Sequence, residues 1–434
     1  MNSRKQRWLF IKSGHLFYNM RYASFSFILF LFFVSTLLSQ TQKENGQLKT
    51  GADRLISEYS NLLINKKIGV VFNQTSRLSN GTHLLDTLSS LYNIVSVFSP
   101  EHGFKGNIEA GKKYFDGKKG SSKINFYSLY GSVKKPTKKM LKGIDLLIYD
   151  LQDIGVRYYT YISTLFYTIE AASENNIPII ILDRPDPLNG YKIEGPILNK
   201  EFESFIGIAP IAVRYGMTAG ELAKYFVGEG LIKNASHLNL KIIKLKNWDR
   251  NKYYDYYYGN NWQKTSPNIP DLNTAIVYPG TALIEGTNIS EGRGTLHPFL
   301  QIGAPFINSA DLISEMKKLN IQGVELQPIK FTPKSIPEMS TFPKYKGEEC
   351  KGIKIILTNK EKFNSVEFGV KLIYAINKLY PEQLKFRTKH FNRLIGNNKT
   401  IKKIKAGTKP EKIILSWKED LNKFKKIRTK YLLY

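Results

Sequence analysis

Residues 99–106 read Ser-Pro-Glu-His-Gly-Phe-Lys-Gly and set a carboxylate, Glu101, beside an imidazole, His102, at the end of the apolar run 93–98. Two proton-transfer groups where a strand gives way to a Gly-containing loop lie where open α/β sheets gather their ligands, outside the carboxyl ends of the strands. The purely structural use of the same residues would be a turn in which Glu101 caps a helix and His102 faces solvent. A second acidic stretch, 285–295, carries Glu285, Glu291 and Arg293 within nine residues. Two carboxylates across a cleft are the minimum kit for glycoside hydrolysis. One, protonated, gives its proton to the leaving oxygen; the other, ionised, acts as nucleophile, activates water or stabilises an oxocarbenium-like transition state. Glu101 is the candidate for one role. Glu291 is preferred to Glu285 for the other, because Gly292 and Gly294 leave the backbone around it open. Burial in such a cleft would raise one pKa while Arg293 or Arg157 keeps the other group charged.

Rival chemistries use overlapping residues. His102, Asp150, Asp153 and Asp183 form an oxygen-and-nitrogen set suited to a divalent metal, hence to a metal-dependent hydrolase, though no His-Glu-x-x-His spacing accompanies them. No Gly-x-Ser-x-Gly elbow offers a serine nucleophile. Neither Gly-x-Gly-x-x-Gly nor Gly-x-x-x-x-Gly-Lys-Ser/Thr follows the first strand, so no nucleotide cofactor is expected, and no other is implied. A cell-wall glycan-binding protein without catalysis is the remaining alternative.

These side chains need elements to hold them. Strands are expected at 67–74, 93–99, 124–130, 145–152, 178–184, 210–215 and 240–245, and helices at 81–92, from Thr137, and at 161–175 and 218–229. Strand and helix in alternation give a largely parallel sheet with helices on both faces and right-handed crossovers. Polar groups then collect at one sheet edge: Asn73, Gln74 and Thr75 after the first strand, Glu101 and His102 after the second, Asp150, Asp153 and Arg157 after the next long one, Asp183 and Arg184 after the fourth. Residues 266–295, rich in Gly, Pro, Asn and Thr, read as too irregular for a long helix and as loops that carry ligand contacts. Helices at 310–319 and 366–380, with strands at 324–331 and 352–357, make an α+β second domain. The expected division is a signal or anchor at 1–40, a linker at 41–55, an α/β catalytic domain at 56–265 and an α+β domain at 266–434 that completes the cleft. Trp417, Leu421, Phe424, Ile427 and Tyr431 recur at helical spacing and read as a docking helix. The run Tyr-Tyr-Asp-Tyr-Tyr-Tyr at 253–258 reads as a packed or interfacial loop, with a sugar-stacking platform as the alternative.

Composition narrows the class. Lys and Arg number 64 against 36 Asp and Glu, a formal charge of +28. Such an excess favours anionic partners, but Lys, Asn and Ile are enriched everywhere and no basic stripe with interleaved aromatics marks a nucleic-acid face, so none is expected as partner. Cys350 is the only cysteine, which excludes an intrachain disulfide or a Cys-based metal site; it reads as a small buried hydrophobe. Residues 25–38 are an apolar run of fourteen preceded by Arg21, the length of a secretory signal and short of the ~20 residues that span a bilayer. Counted from Met20 the segment has ordinary signal proportions, so a start at Met20 and export to the periplasm are expected. With no Ala-x-Ala site and no lipobox cysteine, retention as an inner-membrane anchor is the alternative.

With these residues in view, the chain resembles the NamZ family of exo-β-N-acetylmuramidases. The likeness runs over residues 56–407 and rests on 99–106, on Tyr-Ser-Leu-Tyr-Gly at 127–131, Asp-Leu-Gln-Asp-Ile-Gly-Val-Arg-Tyr-Tyr-Thr-Tyr at 150–161, Leu-Asp-Arg-Pro-Asp-Pro-Leu-Asn-Gly at 182–190, Glu-Gly-Pro-Ile-Leu at 194–198 and Glu-Gly-Thr-Asn-Ile-Ser-Glu-Gly-Arg-Gly-Thr at 285–295. The resemblance implies a Rossmann-like, mostly parallel sheet domain joined to a smaller α+β domain, with the active site between them. It implies release of N-acetylmuramic acid from the non-reducing end of peptidoglycan-derived muropeptides or disaccharides. It carries Glu101 over as the leading acid, with Glu291 as the inferred second group. The substrate's lactyl carboxylate calls for a cation, for which Arg157, Arg184 and Arg293 are the candidates. Asn73 and His102 would bind hydroxyls or the acetamido group, and Asp150, Tyr159, Asp183, Glu285 and Asn288 complete the expected substrate-binding set.

Overall fold

A computed structural model describes residues 46–109, 117–118 and 124–434. The apolar run 25–38, and with it the expected signal or anchor, lies outside them. Among the described residues no helix is long and apolar enough to cross a membrane.

The first lobe is built on β1 (Lys67–Phe72), β2 (Asn93–Ser99), β3 (Gly117–Lys118), β4 (Asn125–Ser128), β5 (Leu146–Asp150), β6 (Ile179–Leu182) and β7 (Leu240–Ile243), in the spatial order β3-β4-β2-β1-β5-β6-β7. Every neighbouring pair from β4 to β7 is parallel; only β3 runs antiparallel, at the edge. β5 and β6, Leu-Leu-Ile-Tyr-Asp and Ile-Ile-Ile-Leu, are buried along their whole length, as strands covered on both faces must be. The chain leaves β1 toward β2 and β4 on one side, then returns to place β5, β6 and β7 on the other. The sheet therefore changes direction between β1 and β5, and a crevice opens beyond their carboxyl ends.

Covering helices include α1 (Gly51–Glu58), α2 (Leu84–Leu91), α3 (Tyr161–Glu174) and α4 (Ala219–Gly228). Thr50 with Asp53, and Thr218 with Glu221, form capping boxes that satisfy the first amides of α1 and α4. Helix α1 begins five residues before the domain start expected at 56, and its Gly51 amide bonds the Asp183 carbonyl at the end of β6. Two expected elements are absent. The helix from Thr137 is a set of turns closed by Gly143 at φ 77°, because the apolar residues Leu141 and Ile144 are spent covering the sheet before a helix can propagate. The strand at 210–215 is an irregular buried segment that makes isolated bridges from Arg214 to Val156 and Glu194.

Next come the short helix α5 (Tyr254–Tyr258) and then α6 (Leu272–Thr281), which runs on into a 3₁₀ turn at Ala282–Gly286. The expectation of an irregular stretch from 266 is corrected here: Asp271 caps α6 through the Thr274 amide, and the helix carries Pro279 near its end. The second lobe adds β8 (Gln301–Ala304), α7 (Ser309–Lys317), β9 (Val324–Phe331), β10 (Cys350–Leu357) and α8 (Ser365–Leu379), with an antiparallel sheet in the order β8-β10-β9. α6 crosses α8 at two glycines. A Cβ on Gly280 would lie 1.9 Å from the Ser365 carbonyl, so only glycine permits the approach. Cys350 is fully buried, as expected.

Helices α9 (Thr388–Ile395), α10 (Lys399–Lys405), α11 (Pro410–Leu415) and α12 (Lys418–Thr429) follow. α12 is the docking helix expected from its apolar stripe, and it packs on the first lobe. Phe424 meets Tyr225 edge to face at 6.0 Å, Arg428 donates to the Gly190 and Gly216 carbonyls, and Tyr431 Oη donates to Glu229 at 2.6 Å. The last residue, Tyr434, donates to Asp183 at 2.7 Å and accepts from the Leu245 amide at 2.7 Å. Residues 49–434 form one compact unit.

Candidate active site

The loop after β2 turns sharply. His102 and Gly103 sit at φ 70° and 71°, a backbone region that a histidine occupies only at a cost of about 1–3 kcal/mol. That conformation leaves both neighbouring side chains nearly buried, Glu101 at 8% and His102 at 7% exposure. Thr160, just before α3, donates its hydroxyl to Glu101 Oε2 at 2.6 Å and so fixes the carboxylate. His102 Nδ1 lies 2.8 Å from the Ile108 carbonyl. A carbonyl can only accept, so Nδ1 carries the proton and Nε2 is the acceptor. Burial pushes the His102 pKa down, Glu101 and the Ile108 carbonyl oppose it, and the Arg293 guanidinium adds to the downward push. The ring is neutral at neutral pH.

Arg293 comes from the second lobe, and its electrostatic reach to His102 brings the two motifs to one place. A run of rings connects them as well. Tyr159, beside Thr160, lies edge-on to Tyr278 at 6.3 Å, Tyr278 meets Phe299 at 4.8 Å, and the Arg293 guanidinium sits 5.0 Å over Phe299. Arg293 donates Nε and Nη2 to Glu285 Oε1 at 3.0 and 2.7 Å, and Nε stands 3.6 Å from Glu291 Oε1. Lys344 approaches Glu291 Oε2 at 2.9 Å while bonding the Ile284 and Ile289 carbonyls. Burial would raise the Glu291 pKa, but Lys344 and Arg293 outweigh it and hold the carboxyl below its ordinary value. Phe299 at φ 64° is another bulky residue in the left-handed region, pinned by its amide to the Glu291 carbonyl at 2.6 Å. Across the rim, Asn107 donates to Glu338 at 3.0 Å and the Thr341 amide to Glu109 at 2.6 Å, so the loop that carries Glu101 is tied to the second lobe.

The other residues expected at the site have protein partners of their own. Asn73 is fully buried; its Oδ1 takes the Thr75 amide and hydroxyl at 2.9 and 2.6 Å, and its Nδ2 donates to Tyr161 at 2.8 Å. It closes the turn after β1. Arg157 donates to the Pro196, Ile211 and Leu394 carbonyls at 2.7, 2.7 and 2.9 Å, and burial lowers its pKa to about 9. It bolts the lobes together. Asp150 is sealed by Arg184 through contacts of 2.5 and 2.7 Å, and Arg184 lines a separate pocket. Asp183 accepts from Gly220, Thr218 and Tyr434. Asn288 bonds the Lys385 amide and the Gln383 carbonyl at an exposed turn. Tyr159 is a packed ring in the wall, 4.9 Å from Tyr161.

The metal set disperses in the same way. His102 is held by Ile108, Asp150 by Arg184, Asp183 by the three donors above, and Asp153 by Tyr215 and the Gly155 amide. Among the described residues no group of three or more His, Cys, Asp and Glu could hold a metal ion. Thr160 and Lys344 were missed. Thr160 lies inside the conspicuous stretch 150–161, but Lys344 sits in a segment with no local pattern and reaches the site only through the fold.

Glu101 at a strand end of the parallel sheet, and Glu291 held by two cations in the second lobe, make a candidate acid pair of the kind glycosidases use. The family model described as exo-β-N-acetylmuramidase NamZ, N-terminal, matches residues 68–273, and its C-terminal counterpart matches 276–434. The chain belongs to the NamZ exo-β-N-acetylmuramidase family. It is 42% identical over 405 residues to the peptidoglycan β-N-acetylmuramidase NamZ of Bacillus subtilis strain 168, covering 91% of this chain and 93% of that one. Two DUF1343 family proteins of Bacteroides fragilis NCTC 9343 have similar crystal structures. One has a TM-score of 0.81 at 30% identity, over 90% of this chain and 99% of the other; the second has 0.71 at 31%, over 89% and 99%.

Proposed function

We propose that this protein is an exo-acting glycosidase that releases N-acetylmuramic acid from the non-reducing end of peptidoglycan fragments, with Glu101 as the acid and Glu291 as the ionised partner. The observation that carries the assignment of roles is the difference between their surroundings: Thr160 and neutral His102 attend Glu101, whereas two cations flank Glu291. Glu101 protonates the glycosidic oxygen as the bond to the sugar breaks. Glu291, held below its ordinary pKa by Lys344 and Arg293, supplies the negative charge that the oxocarbenium-like transition state needs. His102 Nε2 accepts from a sugar hydroxyl or the acetamido N–H. Of the three arginines considered, only Arg293 stands with the cleft acids. Its Nη1, outside the bonds to Glu285, is the donor for the lactyl carboxylate. The bonds from Asn107 and Thr341 across the rim fit a pocket closed at one end, as removal of a terminal sugar requires.

Action on exported muropeptides, in the periplasm of a cell that turns over or recycles its wall, is part of the same reading; the apolar run 25–38 supports it. The disaccharide of N-acetylmuramic acid linked to N-acetylglucosamine tests the activity. Both free sugars appear if the reading holds, and an intact disaccharide after prolonged incubation refutes it.

A further inference from the structure

We infer that the protein has a second ligand site, for a small carboxylate-bearing molecule, in the polar pocket beyond the carboxyl ends of β1, β5 and β6. The cavity measures about 250 Å³ and is lined by Arg77, Arg184, Lys264, Tyr254, Tyr258 and Trp262 among others, and by none of Glu101, His102, Thr160, Glu291 or Arg293. A strap separates the two: Gln74 Nε2 donates to the Lys264 and Thr265 carbonyls at 3.2 and 3.0 Å, and Tyr161 donates to Thr265 at 2.6 Å from the side of the Glu101 crevice.

The lining chemistry specifies the ligand. All of its charged residues are cations, Arg77, Arg184 and Lys264. Arg184 is held rigid from behind by Asp150, with Nη2 also on the Arg77 carbonyl, and its Nη1 is bonded to no described residue. Arg77 spends Nε and Nη1 on the Gln74 and Gly81 carbonyls. Asp150 offsets one positive charge. Asp53, bonded by Thr50 and Ser79, offsets another. The balance stays positive, and fixed guanidinium donors beside a mobile ammonium suit a carboxylate. The opposite wall is aromatic. The run at 253–258 folds as the single-turn helix α5, which puts residues four apart on one face. The rings of Tyr254 and Tyr258 lie 4.4 Å apart at 30°, with Trp262 edge-on to Tyr254 at 5.0 Å. An apolar face beside a positive corner fits a sugar acid or a short acidic peptide, and both share the carboxylate.

Trp262 fluorescence in the full-length protein reads occupancy, and a Trp262→Phe variant fixes the background. N-acetylmuramic acid and the dipeptide alanyl-glutamate are titrated separately, with N-acetylglucosamine as the sugar without a carboxylate. Saturable quenching is expected with at least one of the acids, at least tenfold weaker with N-acetylglucosamine. Quenching by the sugar acid alone identifies a glycan source, and by the dipeptide alone a peptide source. Lys264→Glu, at an exposed position that folding does not depend on, weakens the effective acid at least tenfold, and Tyr258→Ala is the second variant. The inference is overturned if neither acid binds, if N-acetylglucosamine binds equally well, or if Lys264→Glu leaves affinity unchanged. Because the readout is binding at a pocket outside the cleft, these outcomes stand apart from success or failure of the hydrolysis assay.

Discussion

Single residues of the candidate site differ in what surrounds them. Glu291 is ionised because Lys344 and Arg293 overcome its burial. Lys344→Met removes the nearer cation and lets burial count for more, so the Glu291 pKa rises. The acidic limb of the kcat/KM profile then moves to higher pH, and an unmoved limb would show that Glu291 does not titrate in catalysis. Thr160→Val deletes the hydroxyl that orients Glu101. A hydrogen bond to the neutral acid is worth about 0.5–1.5 kcal/mol, roughly two- to tenfold in kcat, with KM and melting temperature nearly unchanged. Full activity after exhaustive EDTA treatment is expected, since the acids that would ligate a metal are each committed to a protein donor. Glu101, His102 and Arg293 stand out in the sequence as candidates because sharp, glycine-flanked motifs carry them. Asn73, Asp150 and Asp183 are harder to read for a physical reason. A polar residue at a strand end is needed just as often to satisfy the turn that follows as to meet a ligand, and the sequence does not separate the two uses.

At the scale of elements, alternation of apolar runs announced the parallel sheet, and parallel pairing placed all the strand-end residues on one edge. What the pattern could not reveal was how the C-terminal segment closes the molecule. Tyr434 reaches the sheet edge and donates to Asp183, a contact between residues 251 apart in sequence. Burial lifts the Asp183 pKa to about 7, against the pull of its donors. The folded-state value lies above the unfolded one, so Asp183 favours the folded state most below the unfolded pKa, and that contribution is lost as pH rises through about 7. Asp183→Asn keeps an acceptor without the charge, so its melting temperature relative to wild type climbs between pH 5 and pH 8. A constant offset would mean that the carboxyl does not titrate there. Tyr434→Phe leaves Asp183 one donor short and the Leu245 amide without its acceptor, at a cost of about 1–3 kcal/mol that denaturant unfolding would register.

The whole molecule is two lobes made into one body by contacts between them. Arg157 spans from the strand-end loops to α9, the rim bonds join residues 107–109 to 338–341, and α12 returns the chain to the first lobe. Lys344 became visible only at this scale, since it meets Glu291 through the packing of the second lobe. The central proposal is that one acid, delivered by the first lobe, protonates the leaving sugar. Steady-state hydrolysis of the N-acetylmuramyl disaccharide by Glu101→Gln, compared with wild type of matched melting temperature, addresses it. The expected result is a kcat reduced by about 10²–10⁴; a Glu101→Gln enzyme that turns over at the wild-type rate would contradict it.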